Sequence, residues 1–558
     1  MIYLKNEGNV LIMVCMLIAL LAILAGPIIY LSVNEYYSAV KNMNSVEMYY
    51  LAEAGTEQLA NLLVNKIANY ESEPSGINDY WADLCGETTG FLSSGYTLDY
   101  TCQSAGAEYI VDNNGIISFV RQYTISSIVT NPEDGVTVKV RQMIARNKTY
   151  TFQHAVFYTE DLEMIPGRDM NLSGRIHSND DIYIDSNGAT FTIDTDYLNG
   201  VGKIYKKRKD SGFELSGTVN IWNQATSTFR GMHEAGDSVP MDSDHPDWID
   251  ASQVRWGGTV KSGVHGVTSL AVPSVGSVQE GGFYYQKADV KVINGDVYCG
   301  GSKLVEGVNV PVGTVTVDED FYNNRESKNV KMSNIDLKKL SGWEQDVDSD
   351  GNPVFDSDGN PVEVQNYPNY LPDNGLIYAT NNNAAPSQQP GVRLVNGTEI
   401  NSGVGLTVVS NVPVYVQGDY NTVNKKPAAV ICDAINLLSN NWDDANSSLD
   451  LSERVAQSTT VNVAIITGIV PTVGGVYSGG LENLPRMHEK WSGKTLYIRG
   501  SFVVLWNSLF GTNPWAYGGD YYTAPNRDWD YDLDFNDSSN LPPMTPFAVG
   551  ARRIAWWR

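Results

Sequence analysis

The chain has 558 residues, a formal net charge of -26 at pH 7 and a pI near 4.6. Its length allows two or three domains, and its acidity repels phosphate backbones, which argues against nucleic acid as a partner. Five cysteines without a Cys-x-x-Cys pair leave a zinc–thiolate site without support, and the chain carries no Gly-x-Ser-x-Gly, His-Glu-x-x-His or P-loop pattern, so the expectation is a non-enzyme.

The chain opens MIYLKNEGN and then runs without a charge from Val10 to Leu31. About 22 apolar residues suffice to cross a hydrocarbon core of roughly 30 Å as a helix. A removable export signal would end at a small-residue site after a shorter apolar run. Here the helical pattern continues as SVNEYYSAVKNMNSVEMYYLAEAGTEQLANLLVNKI. Val33, Tyr36, Tyr37, Val40, Met43, Val46, Met48, Tyr50, Leu51 and Leu59 recur at mixed spacings of three and four. That spacing predicts one membrane-spanning and stalk helix over 9–60, kinked near Gly26-Pro27, with a broad buried stripe. Lys5 before the span, and Glu35, Glu47, Glu53 and Glu57 after it, predict a single-pass membrane protein with its bulk outside the cell membrane.

Residues 61–152 read as a small α+β module, in which YTLDY, AEYIVDNNGIISFVRQYTISSIVT and VTVKVRQMIARNKTYTF supply strands and NNG and DG supply turns. Cys85 and Cys102 lie in this exported region, where a disulfide is chemically favoured. Cys15 falls in the apolar span, and Cys299 and Cys432 fall on strand-like runs as free thiols. ESEPSG at 71–76 reads as a mobile link that lets a head settle independently of the anchor.

From 153 to 558 the texture is all-β. MNLSGRIHSNDDIYI, FELSGTVNIWN, ADVKVINGDVYCG and GLTVVSNVPVYVQGDYN are strand pairs with Gly or Asn at the bend. Strands this short bury their apolar faces only on neighbours, which predicts a β-helical or irregular β-sandwich body of uneven period. Loop-rich stretches near 225–275 and 320–370 read as insertions, the second with a helix at Ser333–Leu340. The basic run KIYKKRK, Lys203–Lys209, reads as a solvated hairpin face, with lipid headgroups or an acidic neighbour as the other partners it suits.

Three clusters carry candidate chemistry. Asp346, Asp348 and Asp350 alternate before Gly351 in DVDSDGNPVFDSDGN, the spacing with which hard oxygen ligands wrap a calcium ion, although Ser357 stands where an EF-hand has its Glu. The competing reading is a pair of acidic β-turns. His177, Asn179 and Asp181 share one face of a strand and suit either a polar patch or a corner that caps backbone amides. Glu482, Glu489 and the acidic run Asp528–Asp534 sit among Trp491, Trp506, Trp515 and Trp529, a mixture found in sugar-binding grooves and equally in core anchors.

The N-terminus resembles that of PilX-type minor pilins of type IV pilus systems. The resemblance rests on a short charged leader ending in Gly8, an apolar helix starting at once, and YYLAEAGTEQ at the end of that helix. It implies a leader over 1–8, cleavage by a prepilin peptidase between Gly8 and Asn9, and packing beside other pilins through the helix. Many pilins carry Glu five residues into the mature chain, where this chain has Met13. A minor or pseudopilin subunit fits that departure better than a major one. Gly174-x-x-His177-Ser178-Asn179 and the closing region from Gly405 are similar to the large C-terminal parts of some PilX-like proteins. The implied function is assembly or surface contact of a type IV pilus-like system. The alternative is a membrane-anchored structural or carbohydrate-binding protein outside any pilus, with a surface glycan as partner.

Overall fold

The computed structural model describes residues 7–72, 83–85, 95–111, 116–513, 515 and 521–558. Most of the expected leader (1–6) and of the ESEPSG stretch (73–76) lie outside the described residues. One α-helix, Glu7–Ser72, runs for 66 residues and continues through Pro27. At about 1.5 Å per residue its length is roughly 100 Å. Its C-terminal half is a packing element: Met48, Ala52, Thr56, Leu59, Ala60, Leu63 and Ile67 are buried, at spacings of three and four, against an antiparallel sheet. The AEAG segment is where helix and sheet approach most closely. A Cβ on Gly55 would lie 2.5 Å from Ser127 Oγ and 2.9 Å from Tyr100 Cε1, so small residues are required there. The buried stripe begins later than the spacing predicts. Val33, Tyr36, Tyr37, Met43, Val46 and Tyr50 are exposed, because the sheet covers the helix only from Met48 onward.

That sheet has the order Thr97–Ser104, Ile117–Thr130, Thr137–Tyr150, Phe547–Trp557, with Glu108–Val111 paired to the start of the second strand. Its fourth strand comes from the far C-terminus. The module expected over 61–152 therefore shares its sheet with the end of the chain, and a boundary near 152 does not enclose it. Phe547 stacks on Tyr150 with ring centroids 4.5 Å apart, and Arg553 reaches back to Glu57 and Asn61 of the long helix. Cys85 and Cys102 form a disulfide that pins the segment 83–85 to the edge strand.

The body is a parallel β-helix built in two stretches. In the first, Val156–Tyr158, Ile176–Ser178 and Leu198–Gly200 stack in parallel on one face, Leu162–Met164, Ile182–Ile184 and Ile204–Tyr205 on a second, and Met170–Ser173, Thr190–Asp194 and Thr218–Asn223 on a third. Consecutive starts at 156, 176 and 198 give a coil of roughly 20 residues, short for a solenoid repeat. In the second stretch, Val290–Ile293, Leu376–Thr380, Leu406–Val409, Ala428–Ile431, Thr459–Ile469 and Thr495–Asn507 stack on one face at uneven intervals. Lys328–Asp336, Gln389–Val395, Val414–Gln417, Ile435–Leu438 and Arg486–Met487 stack on another.

The two stretches join out of chain order. Thr495–Asn507, the last coil of the second stretch, pairs in parallel with Val156–Tyr158, the first coil of the first. Both stretches advance the same way along the axis, so the solenoid reads continuously through this seam. The core is one apolar column from Phe152 to Ala548.

The two expected insertions are partly core. Trp248 and Trp256, on the helix Trp248–Trp256, are buried, and Val260–Lys261 adds a parallel strand beyond Leu198–Gly200. The helix expected over Ser333–Leu340 is confined to Leu337–Leu340. Ser333 to Asp336 belong to the strand Lys328–Asp336, which gains a full parallel register with Gln389–Val395 and buries Met332 and Ile335.

Candidate functional site

The N-terminal half of the long helix is one functional surface. Residues 9–39 are exposed throughout, and the segment is long and apolar enough to cross a membrane. Gly8 and Asn9 follow one another in the first turns of this helix, and Met13 is 76% exposed.

The acidic loop is organised by its own backbone. Asp348 Oδ1 accepts from the backbone N–H of Asp350 and of Asn352, each at 2.9 Å. Asp356 repeats the pattern with Asp358 and Asn360. Gly351 and Gly359 take φ of +81° and +83°, the left-handed geometry these turns need. The backbone donation of Asn352 is the leading cause that holds the Asp348 carboxyl below its usual range. Asp346, Asp348 and Asp350 thus sit on exposed stacked turns. Among the described residues, the trio with one carboxylate oxygen each within 4.8 Å of one another is Asp161, Asp180 and Asp181. There Asp161 is already paired with Lys209 Nζ at 2.5 Å.

His177 is a corner residue. Its Nε2 meets Asn179 Oδ1 at 3.0 Å, it stacks on Phe157, and burial lowers its pKa to about 4. Asn179 holds both the N–H and the C=O of Leu270, while Asp181 turns away to accept from Lys203 N. The five cations of the basic run are all ion-paired with carboxylates of the chain, Lys209 with Asp161. Lys206 is buried between Asp185 and Glu214, Lys203 and Lys207 pair with Asp244, and Arg208 pairs with Asp210. Arg208 alone has a local partner, and Lys203, Lys207 and Lys209 find theirs on other turns, a relation absent from local spacing.

The carboxylates among the tryptophans are also mostly struts. Glu489 accepts from Ser439 N and Oγ, Asp530 from Ser173 N and Oγ, and Asp532 pairs with Lys425. Trp491 and Trp529 are core residues. Glu482 and Trp515 differ, because both line a cavity of about 370 Å³. The cavity draws on distant parts of the chain: Ile165, Gly167, Arg168 and Asn187 of the first stretch, Arg208, then Tyr477, Gly479 and Glu482, and last Trp515, Tyr522, Ala524 and Arg527. Gly479 and Gly480 make it possible. At Gly479 a Cβ would lie 2.8 Å from the Trp515 indole, and at Gly480 2.6 Å from Glu163 O, both at positive φ. Trp515 Nε1 donates to Tyr522 Oη at 2.7 Å, which holds the indole, and Tyr477 meets its ring edge-on at 5.2 Å. Arg168, Arg208 and Arg527 complete the lining.

Glu482 Oε1 accepts from Ile165 N at 2.9 Å, and its Oε2 is buried without a partner among the described residues. Burial, against a smaller opposing pull from Arg527, raises its pKa to about 7. Ionising it costs more in the folded chain than in the unfolded one. Stability linked to this proton is therefore fully present below the unfolded value near 4.5 and is lost as pH rises through 7. Glu482→Gln, which cannot ionise, is expected to gain on the wild type by on the order of 2 kcal/mol between pH 4.5 and 7.5. Denaturant midpoints at each pH measure this, and a constant difference would refute it.

No protein-family model matches the chain, and no curated protein matches it. Among solved structures it is similar to the competence-associated pilin ComZ from Thermus thermophilus, at 11% identity over 92% of this chain and 97% of that one, with a TM-score of 0.25. A superposition that loose carries no argument about this chain, whose functional reading rests on its own geometry.

Proposed function

We propose that this chain is a minor pilin or pseudopilin, a display subunit anchored by its N-terminal helix in the bacterial cell membrane and then among the helices of other pilins in a filament. The carrying observation is a single unbroken helix, apolar and exposed in its first half, buried on its own sheet in its second. An apolar surface this long is unfavourable in water and is stabilised by lipid or by like helices. Residues 32–47 then extend the helix by about 24 Å, which holds the β-helical head clear of a bilayer surface. Met13, uncharged where many pilins carry Glu, suits a subunit present in few copies, because no buried charge demands a partner on each neighbour.

Prepilin peptidase is the processing partner in this reading, and the mature chain begins at Asn9. N-terminal sequencing of protein from its native membrane is expected to start there, and Gly8→Leu is expected to abolish processing while membrane insertion persists. A start at Met1, or beyond residue 25, would sink the processing claim. Antibody to the head is expected to label purified filaments sparsely or at one end. Labelling along the whole shaft contradicts the minor-subunit reading. Protein confined to the membrane, absent from filaments, favours the surface anchor outside a pilus. Calcium at Asp346, Asp348 and Asp350 belongs to this proposal as a cofactor of the head loop. A calorimetric heat lost in Asp348→Asn supports it, and no heat removes it.

A further inference from the structure

We infer that the stacked coil corner carrying Asp161, Asp180 and Asp181 is a binding site for a calcium ion, with the buried Tyr158 and Glu163 on the wall behind it. The β-helix builds this corner. Leu162–Met164 and Ile182–Ile184 lie in parallel register with Leu162 opposite Ile182, so Asp161 stands opposite Asp181 of the next coil, and Asp180 is beside it. Neighbouring coils are about 4.8 Å apart, and like charges that face each other across a strand pair are unfavourable. One oxygen from each of the three carboxylates lies within 4.8 Å of the other two. Oxygens that share one calcium at roughly 2.3–2.6 Å stand no more than about 5 Å apart, so the trio fits a single coordination sphere.

The chain's own cations do not balance this charge. Glu160, Asp161, Glu163 and Asp180 line one small cavity, and Lys209 is the cation on its wall among the described residues. Lys209 Nζ pairs with Asp161, and no ion pair reaches Asp180 among the described residues. Lys203, in the equivalent position on the following coil, carries its Nζ to Asp244 instead, and Arg208 is paired with Asp210. The existing hydrogen bonds leave room for an ion. Asp161 Oδ1 accepts from Asp181 N at 3.1 Å, Asp181 Oδ1 from Lys203 N at 2.6 Å, and Asp181 Oδ2 from Tyr183 Oη at 3.4 Å. A carboxylate offers about four lone-pair sites, so each keeps some for a metal.

An independent observation points into the same cavity. Tyr158 lines it, is 1% exposed, and its hydroxyl has no hydrogen-bond partner among the described residues. Glu163 lines it as well, is 4% exposed, and its Oε2 is also without a partner of normal geometry there. Its Oε1 meets Ser478 Oγ at a long 3.4 Å, and Thr472 stands beside the carboxylate. Buried polar groups left unpaired are costly, and water held by a cation satisfies a hydroxyl and a carboxylate together. The cavity, of about 60 Å³, has room for an ion and its waters and not for an organic ligand. Its charged donors are all oxygens, which suits a hard cation, and an irregular oxygen set suits calcium better than magnesium, which demands a near-ideal octahedron. The site is separate from the loop of Asp346, Asp348 and Asp350 and from the anchoring proposal, because purified protein reports binding whether or not it ever enters a filament.

The test uses the full chain carrying Asp348→Asn, in detergent micelles and stripped of calcium, so that the head loop does not supply the heat. Calorimetric titration with calcium chloride is expected to show one site with a Kd on the order of 0.1–1 mM, the range of extracellular modules, and magnesium is expected to bind at least about tenfold more weakly. Adding Asp180→Asn is expected to weaken calcium by about tenfold or more. Asp180 is exposed, so this variant keeps the fold and melts no earlier than its parent without calcium. Adding Lys209→Met, which removes the competing ammonium, is expected to tighten calcium by about threefold or more. Should Lys209→Met fail to fold without the ion, Asp180→Asn alone decides. The inference is overturned by no calcium heat at about 10 mM, by equal binding of magnesium, by full affinity in Asp180→Asn, or by unchanged or weaker binding in a folded Lys209→Met.

Discussion

Removing residues 547–557 is expected to loosen the N-terminal module while the β-helix stays folded. The strand Phe547–Trp557 forms an antiparallel register with Arg141–Tyr150, and Phe547, Ala548 and Val549 are each 1–2% exposed. Phe547 packs on Tyr150 and Phe119, and Lys148 Nζ lies 5.1 Å above its ring. Arg553 reaches Glu57 at 2.6 Å, so the same strand also grips the long helix. Phe547→Ala alone is expected to cost about 3–5 kcal/mol, the range for a large aromatic deleted from a core. The full deletion also strips the outer hydrogen bonds from Thr137–Tyr150 and leaves it an open edge. Amide exchange of the full chain in detergent is the measurement. Amides of 137–150 are expected to exchange much faster, while those of 406–438 keep their protection. Equal protection of 137–150 in both proteins would show that the module closes without its borrowed strand.

Gly500→Ala is expected to be the most damaging single methyl in the body. Gly500 lies in Thr495–Asn507, between the last coils of the second stretch and the first coil of the first. A Cβ there would stand 1.8 Å from Val463 O and 2.6 Å from Val463 C, both backbone atoms of the adjoining coil. No rotamer relieves a clash with backbone, so Thr495–Asn507 must part from Thr459–Ile469, the coil before it. The expected cost is above about 3 kcal/mol, beyond ordinary overpacking. Gly403→Ala, with nothing within 4 Å of the new Cβ, is the matched control and is expected within about 0.5 kcal/mol of wild type. Equal melting of the two variants would show that these two coils are not packed this closely.

The long helix was legible because its causes are local. An uncharged apolar run, then threes and fours without an interrupting glycine or proline up to Ala54, specify a helix whatever the rest of the chain does. The strand texture from 153 onward was legible for the same reason, whereas the AEAG stretch entered only through a resemblance, and the sheet packed against Gly55 explains why it is small. The Cys85–Cys102 pairing was open from the sequence and is closed by the fold, which brings the two residues together across the edge strand.

The acidic loop shows how a correct local pattern leaves an ambiguity. Alternating aspartates before a glycine serve a calcium ligand set and an Asx turn alike, and the backbone N–H groups of Asp350 and Asn352 already occupy Asp348 Oδ1. The basic run Lys203–Lys209 shows the converse. Its partners Asp161, Asp185 and Asp244 lie 21 to 48 residues away in sequence, on other turns of the coil.

The sequence by itself determined the long helix with its apolar first half, the disposition toward short stacked strands, and the acidic composition. Only the tertiary structure decided which coil lies on which. Parallel pairing uses backbone groups common to every residue and an inward apolar face common to every coil, so many stackings satisfy the local pattern equally. Uneven coil lengths remove the period that would order them. The seam of Thr495–Asn507 on Val156–Tyr158, the return of Phe547–Trp557 to the first sheet, and the cavity assembled from distant parts of the chain follow from the one packing that buries the apolar faces of the body together. That requirement is global, and no window of sequence contains it.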